Sequence, residues 1–446
     1  MNNKTNNTNL KSPFRGFRGL LFLLFFLVFP LSAQNPWTLE QCVDTALANN
    51  RNVKQQDLAR QSKEIAYQQA RQDLLPNLNA SAGQNYSFGR TEVDMGKYEN
   101  ENSRTTSFNV SSNITLFDGL KLKNNIDAKK IDMYASETDL EKMKSDITMS
   151  VTTAFLQVLM NKEMLQTAEE QLSLTQTKIK QQKALVENGK LAEGELYELL
   201  AQEAKEELNR IQAENALKLS LLDLAQILEL DYFESLDVAT PDNLNVDDLV
   251  LLSDELVYQN ALANRPEIKG AEYRIQGSEK NVSIAKSGYS PTLSLEGGIG
   301  TRYFYQKNIT KSFEEQMSNN LNSGIGLNLR VPIFNRFSVR NNVKNAQLEV
   351  ENNKLSLEST KLELRKTIQQ AYQNALSAKI RWDAALKSEK AAQEAYRFSN
   401  QKYEAGRATQ YELFQAKNNL AQVLSEQTQA KFEYIFRVKI LEILNQ

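Results

Sequence analysis

Two long stretches of the sequence contain neither glycine nor proline. The first covers residues 120–188, and the second lies between Pro332 and Gly406. Because glycine and proline are the residues least compatible with a helix interior, each stretch predicts one long helix, and the first would be roughly 100 Å long. A spacing of seven between apolar residues is typical of a coiled coil. In the first stretch the residues with this spacing are Val151, Val158, Leu165, Leu172, Ile179 and Val186.

A glycine stands at the end of each stretch. Gly189 and Gly406 are positioned to adopt the left-handed conformation that ends many helices, so we expect a tight turn at each. Helical patterns resume after both glycines and continue to Leu230 and to the C-terminus. The sequence therefore predicts two helical hairpins.

The sequence also repeats itself at a nearly constant offset. The segment from Ala46 recurs from Ala261, and Pro76 recurs as Pro291, each 215 residues further on. At an offset of 217, Phe117 and Gly189 recur as Phe334 and Gly406. Ordered matches at a fixed spacing indicate an internal duplication. We predict a first repeat over residues 34–230, a linker over 231–252 and a second repeat over 253–446.

The N-terminus has the pattern of an export signal. Four basic residues and no acidic residue precede Leu39, and ten consecutive apolar residues run from Leu20 to Phe29. Small residues, Ser32 and Ala33, follow. This order describes a secretory signal peptide, which we assign to residues 1–33. Ten apolar residues are too few to cross a bilayer.

Each repeat also contains a pair of predicted strands. After Pro76 and Pro291, where we expect the preceding helices to end, apolar and polar residues alternate over about 12 residues, as in a β-strand with two different faces. This length meets the ~9–11 residues that a tilted strand needs to cross a bilayer. Polar loops, residues 89–104 and 306–320, separate the strands of each pair.

Aromatic residues mark both ends of these strands. Tyr86, Phe88, Tyr303 and Tyr305 lie at the loop ends. At the opposite ends, Phe117 and Phe334 each follow an apolar residue, which we interpret as a shared transition from strand to helix. Aromatic girdles on either side of an apolar band are typical of membrane barrels. Two soluble hairpins over a core would show the same alternation, but the aromatic ends and the export signal favour the membrane interpretation.

Four strands cannot close a barrel in lipid, because the backbone groups at each open edge would stay unpaired at several kcal/mol each. Several chains must therefore contribute. Two copies would supply eight strands, which enclose too narrow a space for an open pore, whereas three would supply twelve.

The composition argues against other classes of protein. The chain has no histidine, which is both the commonest general base and the commonest metal ligand, and its one cysteine cannot form a structural disulfide within the chain. We therefore expect no catalytic site, no metal and no cofactor. A pI near 5.8 argues against nucleic-acid binding.

Together these elements resemble the TolC-type outer-membrane efflux channel family. The resemblance rests on the duplicated Ala-Leu-Ala-Asn elements, the Leu-Leu-Pro-Asn-Leu hinge, the Ile-Thr-Leu-Phe-Asp-Gly strand end and the Tyr-Glu-Ala-Gly-Arg turn that starts at Tyr403. It covers essentially the whole chain after the signal peptide.

The resemblance implies an α+β membrane protein with internal duplication. Three copies would form a twelve-stranded barrel, four strands per chain, in the outer membrane of a Gram-negative bacterium, and a coiled-coil tunnel would cross the periplasm. Such a homotrimer is the passive exit duct of a tripartite efflux or type I secretion system. Its tips, at Gly189 and Gly406, dock a periplasmic adaptor, which couples them to an inner-membrane pump of the RND or ABC type.

The resemblance also implies residues at the tunnel entrance. Family members often carry acidic residues six and nine positions after the second tip glycine, which are Glu412 and Gln415 here. A frequent gate tyrosine corresponds to Tyr403, and Arg407 lies beside the position where the family carries an arginine. Glu195 is the counterpart of Glu412 in the first repeat. For Glu412 the alternative is an ordinary exposed helix face.

A periplasmic coiled-coil scaffold or adaptor without a pore is the alternative function. Such a protein would account for the long helices. It would not require two duplicated strand pairs with aromatic ends.

Overall fold

The computed structural model describes residues 36–190, 192–231, 236–240, 246, 249–306 and 311–445. The predicted signal peptide and part of the predicted linker lie outside these ranges.

The described chain runs twice through a similar order of elements. The first series is α1 (Leu39–Asn49), α2 (Arg51–Gln72), β1 (Asn79–Ser87), β2 (Arg90–Asp94), β3 (Lys97–Asn100), β4 (Ser103–Phe117), α3 (Lys121–Glu187) and α4 (Glu193–Ile227). The second series is α5 (Asp254–Asn264), α6 (Pro266–Ser287), β5 (Thr292–Tyr305), α7 (Phe313–Asn319), β6 (Asn322–Arg330), α8 (Ser338–Glu404) and α9 (Gln410–Asn445).

Corresponding helices of the two series have matching lengths. Helices α1 and α5 have 11 residues each, and α2 and α6 have 22. The long helices α3 and α8 have 67 residues each, about 100 Å, so the glycine- and proline-free stretches are single helices as predicted. Each long helix begins after a residue with positive φ, Leu120 at 66° and Phe337 at 61°. Phe117 and Phe334 precede these residues by three positions.

Several predicted boundaries were wrong. Helices α2 and α6 end at Gln72 and Ser287, four residues before the prolines, and the residue directly before each proline disfavours the helical conformation, so neither helix reaches its proline. Strand β6 ends at Arg330, whereas the alternation continues to Ile333. The two polar loops contain regular elements, the hairpin β2–β3 in the first and α7 in the second.

The shorter helices stack end to end beside the long ones. Asn50, the N-cap of α2, donates to the carbonyl of Ile227 at the end of α4 (3.4 Å), and Arg51 pairs with Glu229 (3.0 Å). In the second series the buried guanidinium of Arg265 donates to the carbonyl of Ile443 (3.4 Å). Helices α4 and α2 therefore lie end to end along α3. Helices α9 and α6 lie end to end along α8.

The sheet and the helices share one lateral order. The strands are ordered β1-β4-β5-β6, all antiparallel, and the helices nearest the sheet pack in the order α2-α3-α6-α8. Farther from the sheet, α4 packs on α3, α3 on α9 and α9 on α8. The described chain therefore has two lateral edges. We call β1, α2 and α4 the first edge, and β6 and α8 the second edge.

The four-stranded sheet has one apolar and one polar face. Because directly opposed residues of antiparallel strands point to the same face, the register defines both. The mostly apolar face includes Ala80, Ala82, Phe108, Val110, Ile114, Leu295, Ile299, Ile325 and Leu327. The polar face includes Ser81, Asn109, Asn113, Thr115, Ser294, Glu296, Asn322 and Asn328. A bulge at Leu116 explains why the alternation fails just before Phe117.

The main apolar core lies where α1, α3, α4 and α9 meet. Phe155 and Val151 of α3 are fully buried there, together with Leu224 of α4 and Ile435 of α9. Trp37 pairs with Val238, a member of this core, and joins the start of the described residues to the segment between the two series. Within the described ranges, no helix is long and apolar enough to cross a membrane.

Cys42 in α1 tests the packing of this core. It is fully buried, and burial raises the pKa of its thiol to about 11. Since the thiolate is the reactive form, the folded protein should not react with a thiol reagent at pH 8, and one thiol should react after unfolding in guanidinium. Rapid reaction of the folded protein would contradict this packing.

Candidate functional site at the helical turns

Two similar turns join the long helices to the returning helices. Gly189 has φ 66° and Gly406 has φ 68°, both left-handed, as the sequence predicts. In the first turn, the amides of Gly189 and Lys190 donate to the carbonyls of Val186 (2.8 Å) and Leu185 (2.9 Å). The second turn has the same pair of bonds, at 2.9 Å and 2.8 Å. This is the Schellman arrangement, which satisfies the last carbonyls of a helix. We call these two turns the tip turns.

A hydrogen-bond network connects the helices next to the tip turns. The Tyr403 hydroxyl accepts from Gln182 Nε2 (2.8 Å) and donates to Glu195 Oε2 (3.2 Å). The Glu195 backbone carbonyl accepts from Gln410 Nε2 (2.8 Å). One tyrosine, one carboxylate and two amides thus tie the ends of α3 and α8 to the starts of α4 and α9. We call these four residues the tip network.

The tip network keeps Tyr403 protonated. Burial and the nearby Glu195 carboxylate both raise the pKa of this hydroxyl above its ordinary value of 10.0. The neutral hydroxyl can therefore donate to Glu195 throughout the physiological range. Because the pKa is raised in the folded state, this contribution to stability is complete below about pH 10 and is lost as the pH rises through the raised pKa.

A second contact joins the long helices close to the network. Lys178 Nζ donates to the Tyr396 hydroxyl (3.2 Å) and to Asn400 Oδ1 (3.4 Å), and it lies 5.6 Å from the centre of the Tyr396 ring. Sequence reasoning missed this lysine and both amides, Gln182 and Gln410. Gln182 precedes Gly189 by one heptad, but neutral amides are too common on helices for that spacing to be a signal.

The other predicted entrance residues lie outside the tip network. Glu412 is exposed and caps α9, because its carboxylate accepts from the Thr409 amide (3.0 Å) while the Thr409 hydroxyl accepts from the Glu412 amide (3.2 Å). Gln415 and Arg407 are also exposed. The backbone amide of Arg407 completes the second tip turn, and its side chain forms no ion pair with the described residues. The structure thus brings Tyr403 and Glu195 together and leaves Glu412, Gln415 and Arg407 on the surface.

The predicted aromatic residues lie at the two ends of the sheet. Arg104 is directly opposite both Tyr86 and Tyr305, and its guanidinium lies 5.5 Å from the Tyr305 ring and 5.7 Å from the Tyr303 ring. Phe88 follows β1 at the same end and is exposed. The opposite end carries exposed Phe117 and Phe334, and Phe334 packs edge-on against Phe337 at 5.7 Å.

The described chain thus combines a four-stranded sheet that has one apolar and one polar face with helices of about 100 Å that end in tip turns. The sequence profile of the outer membrane efflux protein family matches residues 42–229 and 257–436. The chain belongs to this family.

Known relatives share the fold and much of the sequence length. Toxin and drug export protein A of Aggregatibacter actinomycetemcomitans is 24% identical over 409 residues, which cover 89% of this chain and 83% of that protein. The solved structure of CusC has a TM-score of 0.75 at 17% identity and covers 91% of both chains. The Campylobacter jejuni CmeC outer membrane channel has a TM-score of 0.73 at 20% identity and covers 91% of this chain and 85% of that one.

Family membership confirms the predicted function and location. The protein is an efflux channel of the outer membrane of a Gram-negative bacterium and extends into the periplasm. Its family consists of channel proteins and not of enzymes. The alternative of a periplasmic scaffold without a pore receives no support from these relatives.

The tip turns can be tested with one substitution and a neighbouring control. Gly406→Ala forces a β-carbon into the left-handed region, which we expect to destabilise the turn by about 1–2 kcal/mol. Gly194→Ala lies in ordinary helix with open space around it, so it should be neutral or slightly stabilising. The effect of each substitution can be measured as the rate of amide hydrogen exchange in the peptides that contain the tip turns. Equal exchange rates in the wild type and in Gly406→Ala would contradict the assigned backbone.

Proposed function

We propose that three copies of this chain assemble side by side into a closed exit duct, with a twelve-stranded barrel in the outer membrane and a helical tunnel in the periplasm. The observation that carries this proposal is that the unpaired strand edges and the heptad-spaced exposed leucines fall on the same two lateral edges.

The sheet provides the first argument. Strands β1 and β6 each pair on one side only within the described chain. An open edge is not tolerated in lipid, where unpaired backbone groups cost several kcal/mol each. Joining β6 of one copy to β1 of the next removes both open edges. The apolar face would then contact lipid, and the polar face would line a water-filled lumen.

The helices nearest the sheet provide the second argument. On α8, Leu348, Leu355 and Leu362 recur every seven residues and are 67%, 63% and 68% exposed. On α2, Leu58 and Ile65 have the same spacing and are 62% and 65% exposed. The α8 stripe belongs to the second edge and the α2 stripe to the first, so head-to-tail contact buries both stripes and closes a ring.

The helices farther from the sheet continue the same two lateral edges. Helix α4 exposes large apolar residues along one face, and the lower half of α8 exposes two more. They are Tyr197, Leu200, Leu208, Ile211, Leu219 and Leu222 on α4, with Ile380 and Phe398 on α8. A copy number of three follows from the strand count, because two copies supply eight strands, too few for an open pore, and three supply twelve.

The tip network is suited to act as a passive gate. It joins the four helix ends through a few half-buried hydrogen bonds, each worth only ~0.5–1.5 kcal/mol net. A docked partner can replace such bonds with its own at a small cost in free energy. We therefore assign the tip turns as the docking points of a periplasmic adaptor coupled to an RND or ABC-type pump. Exposed Glu412, Gln415 and Arg407 would surround the entrance.

The matched element lengths support an origin by duplication, with repeats over residues 34–230 and 253–446 joined by a linker over 231–252. Aromatic rings at both ends of the sheet support its position in the bilayer. Tyr86, Phe88, Tyr303 and Tyr305 would form one girdle, and Phe117 and Phe334 the other.

Charge insertion on the second edge tests the assembly. Leu355→Glu would bury an unpaired carboxylate between copies and should reduce the trimer to smaller species. Ser356→Glu adds the same charge a quarter turn round α8 and should leave the trimer intact. Light scattering of the detergent-solubilised protein distinguishes them. A trimeric Leu355→Glu variant would exclude this edge from the interface.

Removal of the Tyr403 hydroxyl tests the gate. Tyr403→Phe leaves Gln182 and Glu195 without their shared partner, so the resting conductance in planar bilayers should rise severalfold. Tyr411→Phe is the matched control, since Tyr411 is exposed and its hydroxyl makes no hydrogen bond to the described residues. Wild-type conductance in Tyr403→Phe would remove the tip network from gating.

A further inference from the structure

Three helices meet at a buried charged cluster above the tip network. Lys417 of α9 pairs with Glu206 of α4 at 2.8 Å, and their side chains are only 4% and 7% exposed. Lys417 Nζ also donates to the hydroxyl of Thr175 and to the backbone carbonyl of Gln171 (3.4 Å), both on α3. Lys417 therefore holds three helices at one point.

The ammonium of Lys417 is the main partner of the buried Glu206 carboxylate. Glu206 Oε1 accepts from Lys417 Nζ (2.8 Å) and from the neutral amide of Gln202 on the same helix (2.8 Å), whereas Glu206 Oε2 is buried and has no hydrogen-bond partner among the described residues. A carboxylate in this environment would be left uncompensated if α9 moved away from α4. The position of α9 is thus coupled to that of α4 through one ammonium group.

The cluster lies a fixed distance from the tip turns. Thr175 precedes Gly189 by 14 residues, Glu206 follows it by 17, and Lys417 follows Gly406 by 11. At about 1.5 Å per residue, the helix ends extend roughly 15–25 Å beyond the cluster. The tip network lies within these ends.

The contacts of the Lys417 cluster and those of the tip network differ in how readily they separate. Separating a desolvated ion pair leaves two charges uncompensated, whereas half-buried hydrogen bonds such as those of the tip network are easily replaced by bonds to water. Movement of the helix ends is therefore expected below the cluster and not through it.

We propose that Lys417, Glu206 and Thr175 are positioning residues that form a fixed anchor about which the tips move. The anchor keeps α3, α4 and α9 together while the helix ends below it separate to open the duct. This inference rests on the proposed gating role of the tip network.

Paired cysteines beside the anchor and within the moving tip test the anchor. Beside the anchor, Gln202 Nε2 contacts Asn418 Oδ1 at 2.9 Å between α4 and α9. At the tip, Gln410 contacts Glu195 between the same two helices. The double variants are Gln202→Cys with Asn418→Cys, and Glu195→Cys with Gln410→Cys. Buried Cys42 provides an unreactive background.

Each pair is introduced separately into the Tyr403→Phe protein. The conductance of each variant is then compared before and after cross-linking with a short bifunctional thiol reagent. Cross-linking the tip pair should return conductance to the resting level, and cross-linking the anchor pair should leave it unchanged. An equal fall for both pairs would overturn the anchor, because the helices would then separate there too. If complete cross-linking of the tip pair has no effect, the proposed gate itself fails.

Removing one charge gives an independent test. Lys417→Met should raise the resting conductance of assembled channels although the tip network is unchanged, because α9 loses its tie to α4. Adding Glu206→Met removes the uncompensated charge and should restore the resting level, as apolar replacements of buried pairs often do. Wild-type conductance in assembled Lys417→Met channels would show that the pair does not position the tips.

Discussion

The demand of backbone groups for hydrogen bonds in lipid is the constraint on which this structure depends. A four-stranded sheet with an apolar face can lie in a bilayer only if both of its edges are paired. Strands β1 and β6 are the edge strands of the sheet, and α2 and α8 continue from them as the edge helices. In the proposed assembly, contact between neighbouring copies would both pair the edge strands and bury the apolar stripes of α2 and α8.

The helices farther from the sheet are joined by two kinds of contact, one buried and charged and the other half-buried and neutral or singly charged. The buried pair of Lys417 and Glu206 joins α3, α4 and α9 well away from the tip turns, whereas the tip network joins α3, α4, α8 and α9 beside the turns with weaker bonds. On α3, α4 and α9 the buried contact lies farther from the tip turns than the half-buried bonds of the tip network, so the proposed motion would be confined to the turns nearest the tips. Under the proposed assembly, the duct would open for a partner at its tip while its wall remained closed.

Much of the fold could be predicted because local patterns control it. The absence of helix breakers defines α3 and α8, and the glycines at residues 189 and 406 satisfy a left-handed position that few other residues tolerate. The alternation along the strands reveals the two faces of the sheet. The bulge at Leu116 explains why this pattern fails at the end of β4.

The candidate site was only partly predictable because it depends on contacts between distant helices. Tyr403 and Glu195 are 208 residues apart, and no spacing rule predicts that Gln182 and Gln410 join them. Likewise nothing in the sequence distinguishes Lys417 from the exposed lysines around it. The role of Glu412 is local, since Thr409 and Glu412 form a capping box whose pattern is present in the sequence.

The central claim is that copies of this chain close each other's edges into one threefold duct. Electron cryo-microscopy of the full-length protein purified in lipid nanodiscs tests it most directly. We predict three copies around one axis, a twelve-stranded barrel with β6 of each copy paired to β1 of the next, and the α8 leucine stripe packed on α2 of the neighbour. A different copy number, or a barrel in which these two strands do not pair, would contradict the account.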